Sequence, residues 1–466
     1  MLRQAQHDEP SIAAPENLIR RSFSAGGLAS SKKICTLYSG FWTLQKKLAS
    51  RFSSLASFPY LRQRMNILQI TNRFPWPLKD GGALGYFNFT KGYYQAGVNL
   101  TLASLNTEKH YIPFEEIPAH VREMADIRLC YIDNRVKPWK ALLNLFTKKS
   151  YHIERFISKD FEVQLEQLCK EKQFDVVVFE SIFVAPYLDI IRKNSKAICV
   201  LRQHNIEYLI WETLAKLETG TLKSWYLHLL SERLKNYELS MLNQFDGISA
   251  ITEIDKNILL ESGCQKPIEV FPFGIHIDKL VRNNSNVEMP SLFHLGSMDW
   301  MPNQEAMKWF IQQVWFDINE RFPNLHFYLA GRNIPLSFFD FNNQNNIRVL
   351  GEIEDAIGFM NEKAIMIVPL FSGSGIRVKI LEGMALGKCI ISTDLGAQGI
   401  DAIDGEHIVK ANSAEEFKSK IAYLVNNPSE ILRIGNNAAK LACAQYDNHK
   451  IIARKLDFYR RLAPAH

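Results

Sequence analysis

The run AIMIVPLFSGSGIRVKILEGMALGKCIIST (364–393) concentrates the residue types that hold a phosphorylated ligand. An apolar stretch ends at Pro369. Gly373-Ser374-Gly375 then open a helical pattern, which Gly387 stops before the next apolar run. A glycine-rich turn lets backbone approach a ligand, and a helix N-terminus offers N–H groups and the positive end of a dipole. Lys379 and Glu382 stand three apart and share a helix face. A lysine there reaches a diphosphate, and a carboxylate further along accepts from ribose hydroxyls. At 100° per residue, Arg377 falls about 200° around the helix from Lys379.

Two further positions sit where open α/β sheets bind ligands, beyond the carboxyl ends of strands. Gly81 and Gly82 open a helical pattern after the apolar run 67–71. His204 directly follows the run 197–203, in RQHNIEY. Neither half carries G-x-G-x-x-G after its first strand, which disfavours a dinucleotide dehydrogenase.

The elements that must position these residues alternate short apolar strands with helical patterns. That is the signature of parallel sheets covered on both faces. Strands are predicted at 67–71, 99–105, 174–180, 197–203 and 246–252, with a long helical stretch near 206–244. Thr252 followed by Asp255 predicts a capped helix start. The second half repeats the scheme at 291–297, 325–331, 347–351, 364–370 and 388–393. The polar stretch RNNSNVEMPS marks a linker near 281–290.

The 466 residues are 47% apolar and 22% charged, the composition of a globular chain of two or three domains. The net charge of +6 is confined to residues 1–64, which carry a surplus of +7, while the remainder carries −1. The main body is therefore not a polyanion binder, and nucleic acid is excluded as a partner by composition. Residues 1–64 hold ten serines and no periodicity, and read as an extension ahead of a working start at Met65; a transit-peptide composition is the other reading. Seven scattered cysteines without a CxxC pair argue against disulfides or structural zinc, fit a reducing cytosol, and mostly sit in apolar runs. No stretch is long and apolar enough to span a membrane.

RVKPWKALLNLFTKKS (135–150) stands apart, with five basic residues, no acid, and Trp139, Leu142, Leu143, Leu145 and Phe146 between them. Two readings stay open: a peripheral membrane-surface helix, or a helix packing its apolar side on the sheet with lysines in solvent.

From Met65 onward the chain resembles the GT-B glycosyltransferases of the retaining group 1, or family 4, in its exopolysaccharide/lipopolysaccharide-type branch. The residues that carry the resemblance occur in the family's order. They are Gly81-Gly82, the HN-E motif at His204, FPFGIHID (271–278), Gly296-Ser297, Trp300-x-Pro302-Asn303, LAGRN (329–333), GSGIRVKILEGMALGK and ISTDLGAQGI (391–400). The resemblance implies two Rossmann-like, doubly wound parallel-sheet domains facing a cleft. An acceptor-binding domain would span 65–280, a nucleotide-sugar-binding domain 281–445, and a helix within 446–466 would cross back.

Carried over residue by residue, Glu382 matches the ribose-binding glutamate, whereas the family's first glutamate falls on Ser374. His204 matches the histidine beside the sugar, Gly296 and Ser297 the diphosphate loop, and Gly351 and Ile353 the nucleobase edge. The basic residues usual after the G-S loop are absent, so Lys379, with Arg377, would supply that charge. Phe273 and His276 replace the usual Asn and Asp of the interdomain turn. The implied activity is retaining transfer of a sugar from a nucleoside-diphosphate sugar to a glycan or lipid-linked acceptor in surface-polysaccharide synthesis. It implies no separate cofactor and no metal, since no D-x-D pair lies in a suitable loop, and a cytoplasmic site of action at the inner face of the membrane. A nucleotide-sugar 2-epimerase of the same fold and a catalytically inactive nucleotide-binding scaffold are the alternatives.

Overall fold

The computed structural model describes residues 64–78, 81–283, 285–373 and 375–463. The extension expected over 1–64 lies outside the described residues but for Arg64, as does Ser374. Residues 64–466 form one compact unit.

Thirteen strands among the described residues fall into two all-parallel sheets. The first contains β1 (Asn66–Thr71), β2 (Asn99–Thr107), β3 (Asp126–Ile132), β4 (Val176–Phe179), β5 (Ile198–Arg202), β6 (Gly247–Ala250) and β7 (Ile268–Val270). Their spatial order is β3-β2-β1-β4-β5-β6-β7. The second contains β8 (Leu292–Leu295), β9 (Phe327–Ala330), β10 (Ile347–Gly351), β11 (Ile365–Val368), β12 (Cys389–Ser392) and β13 (Val409–Lys410), ordered β10-β9-β8-β11-β12-β13. Both orders reverse direction beside their first strand. That reversal opens a crevice at the carboxyl ends of β1/β4 and β8/β11. The central strands are buried along both faces, which is why they read as continuous apolar runs.

The sheets are those of a GT-B architecture: two doubly wound α/β layers joined through β7–β8. The predicted strands match: β1 and β2 run one and two residues longer, β10 coincides, and the others are one or two residues shorter at each end. Three strands escaped prediction, and all lie at or beside a sheet edge. β3 buries only Ile127 of its seven residues, while β7 has three residues and β13 two. The long helical stretch is broken into Glu207–Leu217 and Thr221–Met241, with Gly220 at the N-cap of the second. Thr252 caps helix Glu253–Glu261 as expected, its hydroxyl accepting from the Asp255 amide at 3.0 Å.

The chain crosses between the sheets twice. Ile275, on the outgoing crossing, bridges to Asp447 on the returning one. Helix Asn448–Leu462 then packs on the first sheet, where Ile451, Ile452, Leu456, Phe458 and Tyr459 join a core with Ile67, Phe89, Val178 and Phe271. Tyr93 and Tyr459 share a buried hydroxyl contact of 2.8 Å.

Two expectations need correction. The sequence reads most cysteines as core residues; among the described residues Cys199, Cys264 and Cys389 are buried, Cys130, Cys169 and Cys443 are half-buried, and these six are free. In the basic segment, the helix covers only Pro138–Asn144, and its apolar side chains do not pack on the sheet: Trp139 is 58% and Phe146 85% exposed. The buried member is Asn144, which donates to Glu154 and accepts from Arg233. No helix of the described residues is long and apolar enough to cross a membrane.

Candidate active site

On the second sheet, the loops after β8, β9 and β11 converge. Gly296 and Ser297 follow β8, and the Gly296 amide donates to Ala330 O at 3.1 Å. Gly331 continues β9 with φ +149°, and a Cβ there would stand 1.8 Å from Gly296 O. Only glycine permits that approach. The Gly331 amide donates in turn to Gly351 O at 2.8 Å, so three strand ends are tied by backbone alone. Ile353 sits half-buried two residues beyond Gly351.

Lys379 lies one residue into helix Val378–Ala385, half-buried, and reaches back over this junction. Its Nζ donates to Asn303 Oδ1 at 2.9 Å and to His294 Nε2 at 3.2 Å. His294 Nδ1 donates to Ile367 O at 2.8 Å, which leaves Nε2 as the acceptor the lysine needs. A Cβ on Gly296 would meet the Lys379 ammonium at 2.8 Å. Burial, helped by the charge of Arg377, draws the Lys379 pKa down to about 7. Burial and the neighbouring charge of Lys379 hold His294 well below the usual imidazole range.

The Gly373–Gly375 turn does not open the helix directly. Both glycines hold positive φ, 99° and 87°, and the helix begins at Val378. Arg377 is the extended N-cap residue, so the angular separation expected from Lys379 does not apply. Its guanidinium is buried, stacks 5.1 Å over the Trp300 ring and donates to Gly375 O. Trp300 in turn fills the space a Cβ on Gly373 would take, at 2.5 Å. Glu382, a turn beyond Lys379, is half-buried, and burial pushes its pKa up. Ser297 donates to Asp299 Oδ2, which also accepts from Asn333. An acid thus stands where a basic residue is usual.

On the first sheet, His204 follows β5 and lies against the first turns of helix Gly81–Gln95, which Gly81 and Gly82 open. A Cβ on Gly85 would lie 3.5 Å from His204 Nδ1, in ordinary contact. The Tyr86 ring meets the imidazole edge-on at 4.4 Å, its hydroxyl donating to Asn72. Glu180, just past β4, is fully buried, and its Oε2 lies 3.0 Å from His204 Nε2 and from Arg202 Nη1. Its other oxygen accepts from Gln69 at 2.8 Å. Arg202 Nη1 stands 3.0 Å from the same Nε2; a guanidinium only donates and a carboxylate only accepts, and the tautomer with its proton on Nε2 gives that proton to Glu180 and presents Nδ1 as an acceptor.

Burial opposes the Glu180 charge, but Arg202, the hydrogen bond from His204, and Lys455 outweigh it and hold its pKa below the carboxylate range. Burial and Arg202 lower His204 to about 4, so it is neutral at pH 7. The ring of Phe89 lies 3.7 Å from the Arg202 guanidinium and 4.0 Å from Lys455 Nζ, which the returning helix delivers. Beyond His204, Glu238 accepts from the Glu207 and Tyr208 amides and from Gln203, pinning the loop. Burial pushes both Glu207 and Glu238 up to about 7.

The carboxyl edges of the two sheets meet. Leu84 packs on the second core, and a Cβ on Gly399 would lie 3.7 Å from Thr252 Cγ2. The structure therefore gathers Gly296, Ser297, Gly351, Gly373, Gly375, Arg377, Lys379 and Glu382 on one edge. Gly82 and His204, with Gly81 opening the same helix, stand on the other. Glu180, Arg202, His294 and Lys455 are the site-supporting residues that sequence reasoning missed, whereas Asn303 stood in the W-x-P-N motif without a role assigned to it. An acid closing the apolar run FDVVVFE was a visible hint of Glu180; the others had none beyond their neighbours.

Residues 289–427 match the family described as Glycosyl transferases group 1. This chain carries a group 1 glycosyltransferase domain. It is 25% identical over 307 residues to an uncharacterized 44.6 kDa protein in the cps region of Klebsiella pneumoniae, covering 62% of this chain and 75% of that one. Among solved structures, sucrose-phosphate synthase of Thermosynechococcus elongatus superposes with a TM-score of 0.58 at 13% identity, over 86% of this chain and 99% of that one. HepE of Anabaena in complex with UDP gives 0.55 at 13% identity, over 85% and 100%. The group 1 domain covers the second sheet, and the likeness of fold extends over both.

Proposed function

We propose that this group 1 glycosyltransferase takes a nucleoside-diphosphate sugar on its second sheet and passes the sugar, with retention, to a glycan or lipid-linked acceptor held by the first. One observation carries the proposal: the Lys379 ammonium is fixed over Gly296 by His294 and Asn303, where a diphosphate would meet both the lysine and backbone N–H groups. The UDP bound by the Anabaena relative supports the ligand class, and the cps-region relative supports a polysaccharide product.

In the reaction proposed, the bond from the anomeric carbon to the diphosphate oxygen breaks, and charge grows on the leaving group. Lys379 stabilises that charge without a metal, more strongly in the transition state than before it. The acceptor hydroxyl attacks from the same face and gives its proton to the departing diphosphate. Neutral His204, aligned by Glu180, accepts a sugar hydroxyl at Nδ1. Glu382 accepts from the ribose. Thermal shift with a panel of nucleotide sugars identifies the donor. Donor consumption only with acceptor present supports transfer, an epimer formed without acceptor means epimerase, and binding without turnover means an inactive scaffold.

We propose further that 135–150 touches an anionic membrane at the inner face. The exposed Trp139, Leu142, Leu143 and Phe146 beside Lys140, Lys148 and Lys149 support this. Lys148→Glu with Lys149→Glu should release the protein from anionic vesicles while donor affinity holds; equal vesicle binding defeats the proposal.

A further inference from the structure

Three side chains from the two crossings between the sheets converge on one point. His276 and Asp278 belong to the outgoing crossing, and His449 follows Asp447 on the returning one. Asp278 Oδ1 lies 3.9 Å from His276 Nδ1 and 3.7 Å from His449 Nε2, and one ligand atom from each residue falls within 4.8 Å of the others. The His276 ring is largely buried, yet neither of its nitrogens has a hydrogen-bond partner among the described residues. A buried imidazole without partners is costly, and a cation would satisfy it. None of these residues serves the proposed transfer.

We propose that His276, Asp278 and His449 form a divalent transition-metal site of the zinc type that staples the two crossings together. Two imidazoles and a carboxylate are an N2O donor set, and a tetrahedral ion with ligands at about 2.0–2.1 Å needs donors about 3.3–3.5 Å apart. The two separations to Asp278 exceed that spacing by a few tenths of an ångström, and the two imidazoles, within 4.8 Å of each other, close the rest by a shift of His449. Asp278 and His449 are more than half exposed and free to move. A solvent molecule completes the fourth position.

Lys91 and Lys279 face His276 and oppose a cation, which leaves Asp278 to supply the balancing charge. The backbone already pairs here, the Ile275 amide to Tyr446 O at 2.8 Å and the Asn448 amide to Ile275 O at 3.0 Å. The ligands are therefore preorganised by the fold. A bound ion would tie the two crossings to each other through side chains as well as backbone.

The test uses the untagged full chain, stripped with chelator and titrated with Zn2+ alone, then with Co2+ as a spectroscopic probe. One equivalent should bind with a dissociation constant of about 10 µM or tighter and raise the melting temperature by several degrees. Co2+ should give the intense visible bands of a four-coordinate site. His449→Ala alters an exposed side chain, leaves the fold intact, and should weaken binding about tenfold or more. Asp278→Asn should do the same. Absence of a stoichiometric site, or Zn2+ affinity unchanged in both variants, overturns the proposal.

Discussion

His204 Nε2 and Glu180 Oε2 lie 3.0 Å apart, with Arg202 Nη1 at the same distance from that oxygen. A neutral imidazole is thereby held in place by a buried ion pair, with Arg202 Nη1 also 3.0 Å from Nε2. Glu180→Gln leaves Arg202 buried without its counter-charge and should cost about 3–5 kcal/mol of stability, read by denaturant unfolding. His204→Ala removes only the cleft-facing member. It should unfold within about 1 kcal/mol of the parent while losing turnover. A Glu180→Gln variant as stable as the parent would show that the pair does not hold this wall.

Arg377 is the residue whose expected behaviour the structure reverses. As a surface member of a helix it would be the mildest of the three basic and acidic positions to remove. Buried over Trp300 and bonded to Gly375 O, it braces the glycine turn. Arg377→Ala should therefore lower the melting temperature and weaken donor binding together. Lys379→Ala should cut kcat by roughly 10²-fold, the scale of one charge stabiliser, and Glu382→Ala should mainly raise the donor Kd. Circular dichroism and isothermal titration separate the three.

Lys379 also sets a pH dependence. Its pKa of about 7 without ligand means that only the form populated below pH 7 carries the charge a diphosphate needs. Ligand binding raises that pKa, so donor affinity should be full below pH 7 and fall about tenfold per unit as pH rises through it. A nucleotide sugar is the proper probe, because its diphosphate diester does not titrate there. Lys379→Met should bind more weakly and with a flat profile between pH 7 and 9. A parent protein with the same flat profile would remove the lysine from the phosphate site.

The legibility of this chain follows burial. β4, β6, β11 and β12 are covered on both faces and stand out as apolar runs, whereas β3 buries only Ile127 and hides. The glycine turn was visible by composition. Its offset from the helix was not: Gly373 and Gly375 hold positive φ, and the space beside Gly373 is filled by Trp300, more than seventy residues away. The site's second layer is non-local in the same way. His294 meets Lys379 across 85 positions, and Lys455 arrives on the returning helix to share Phe89 with Arg202. Residue type proposed the groups that would touch a ligand; topology alone supplied the groups that aim them.

Gly331 offers the sharpest check on the junction beneath the proposed diphosphate site. Its φ of +149° is one that side chains rarely adopt, and a Cβ would stand 1.8 Å from Gly296 O, a backbone atom that cannot swing aside. Gly331→Ala must therefore part the ends of β8 and β9 and carry Gly296 away from Lys379. The expected cost is about 2–4 kcal/mol, from backbone strain plus overpacking. Gly97→Ala is the control: φ is +73°, but nothing lies within 4 Å of the added carbon. Only the left-handed conformation is then penalised, by about 1–2 kcal/mol. The decisive contrast is in ligand binding. Gly331→Ala should weaken nucleotide-sugar affinity at least tenfold at a temperature where it remains folded, and Gly97→Ala should leave it unchanged. If both variants bound donor like the parent, the β8–β9 junction would not be the diphosphate loop.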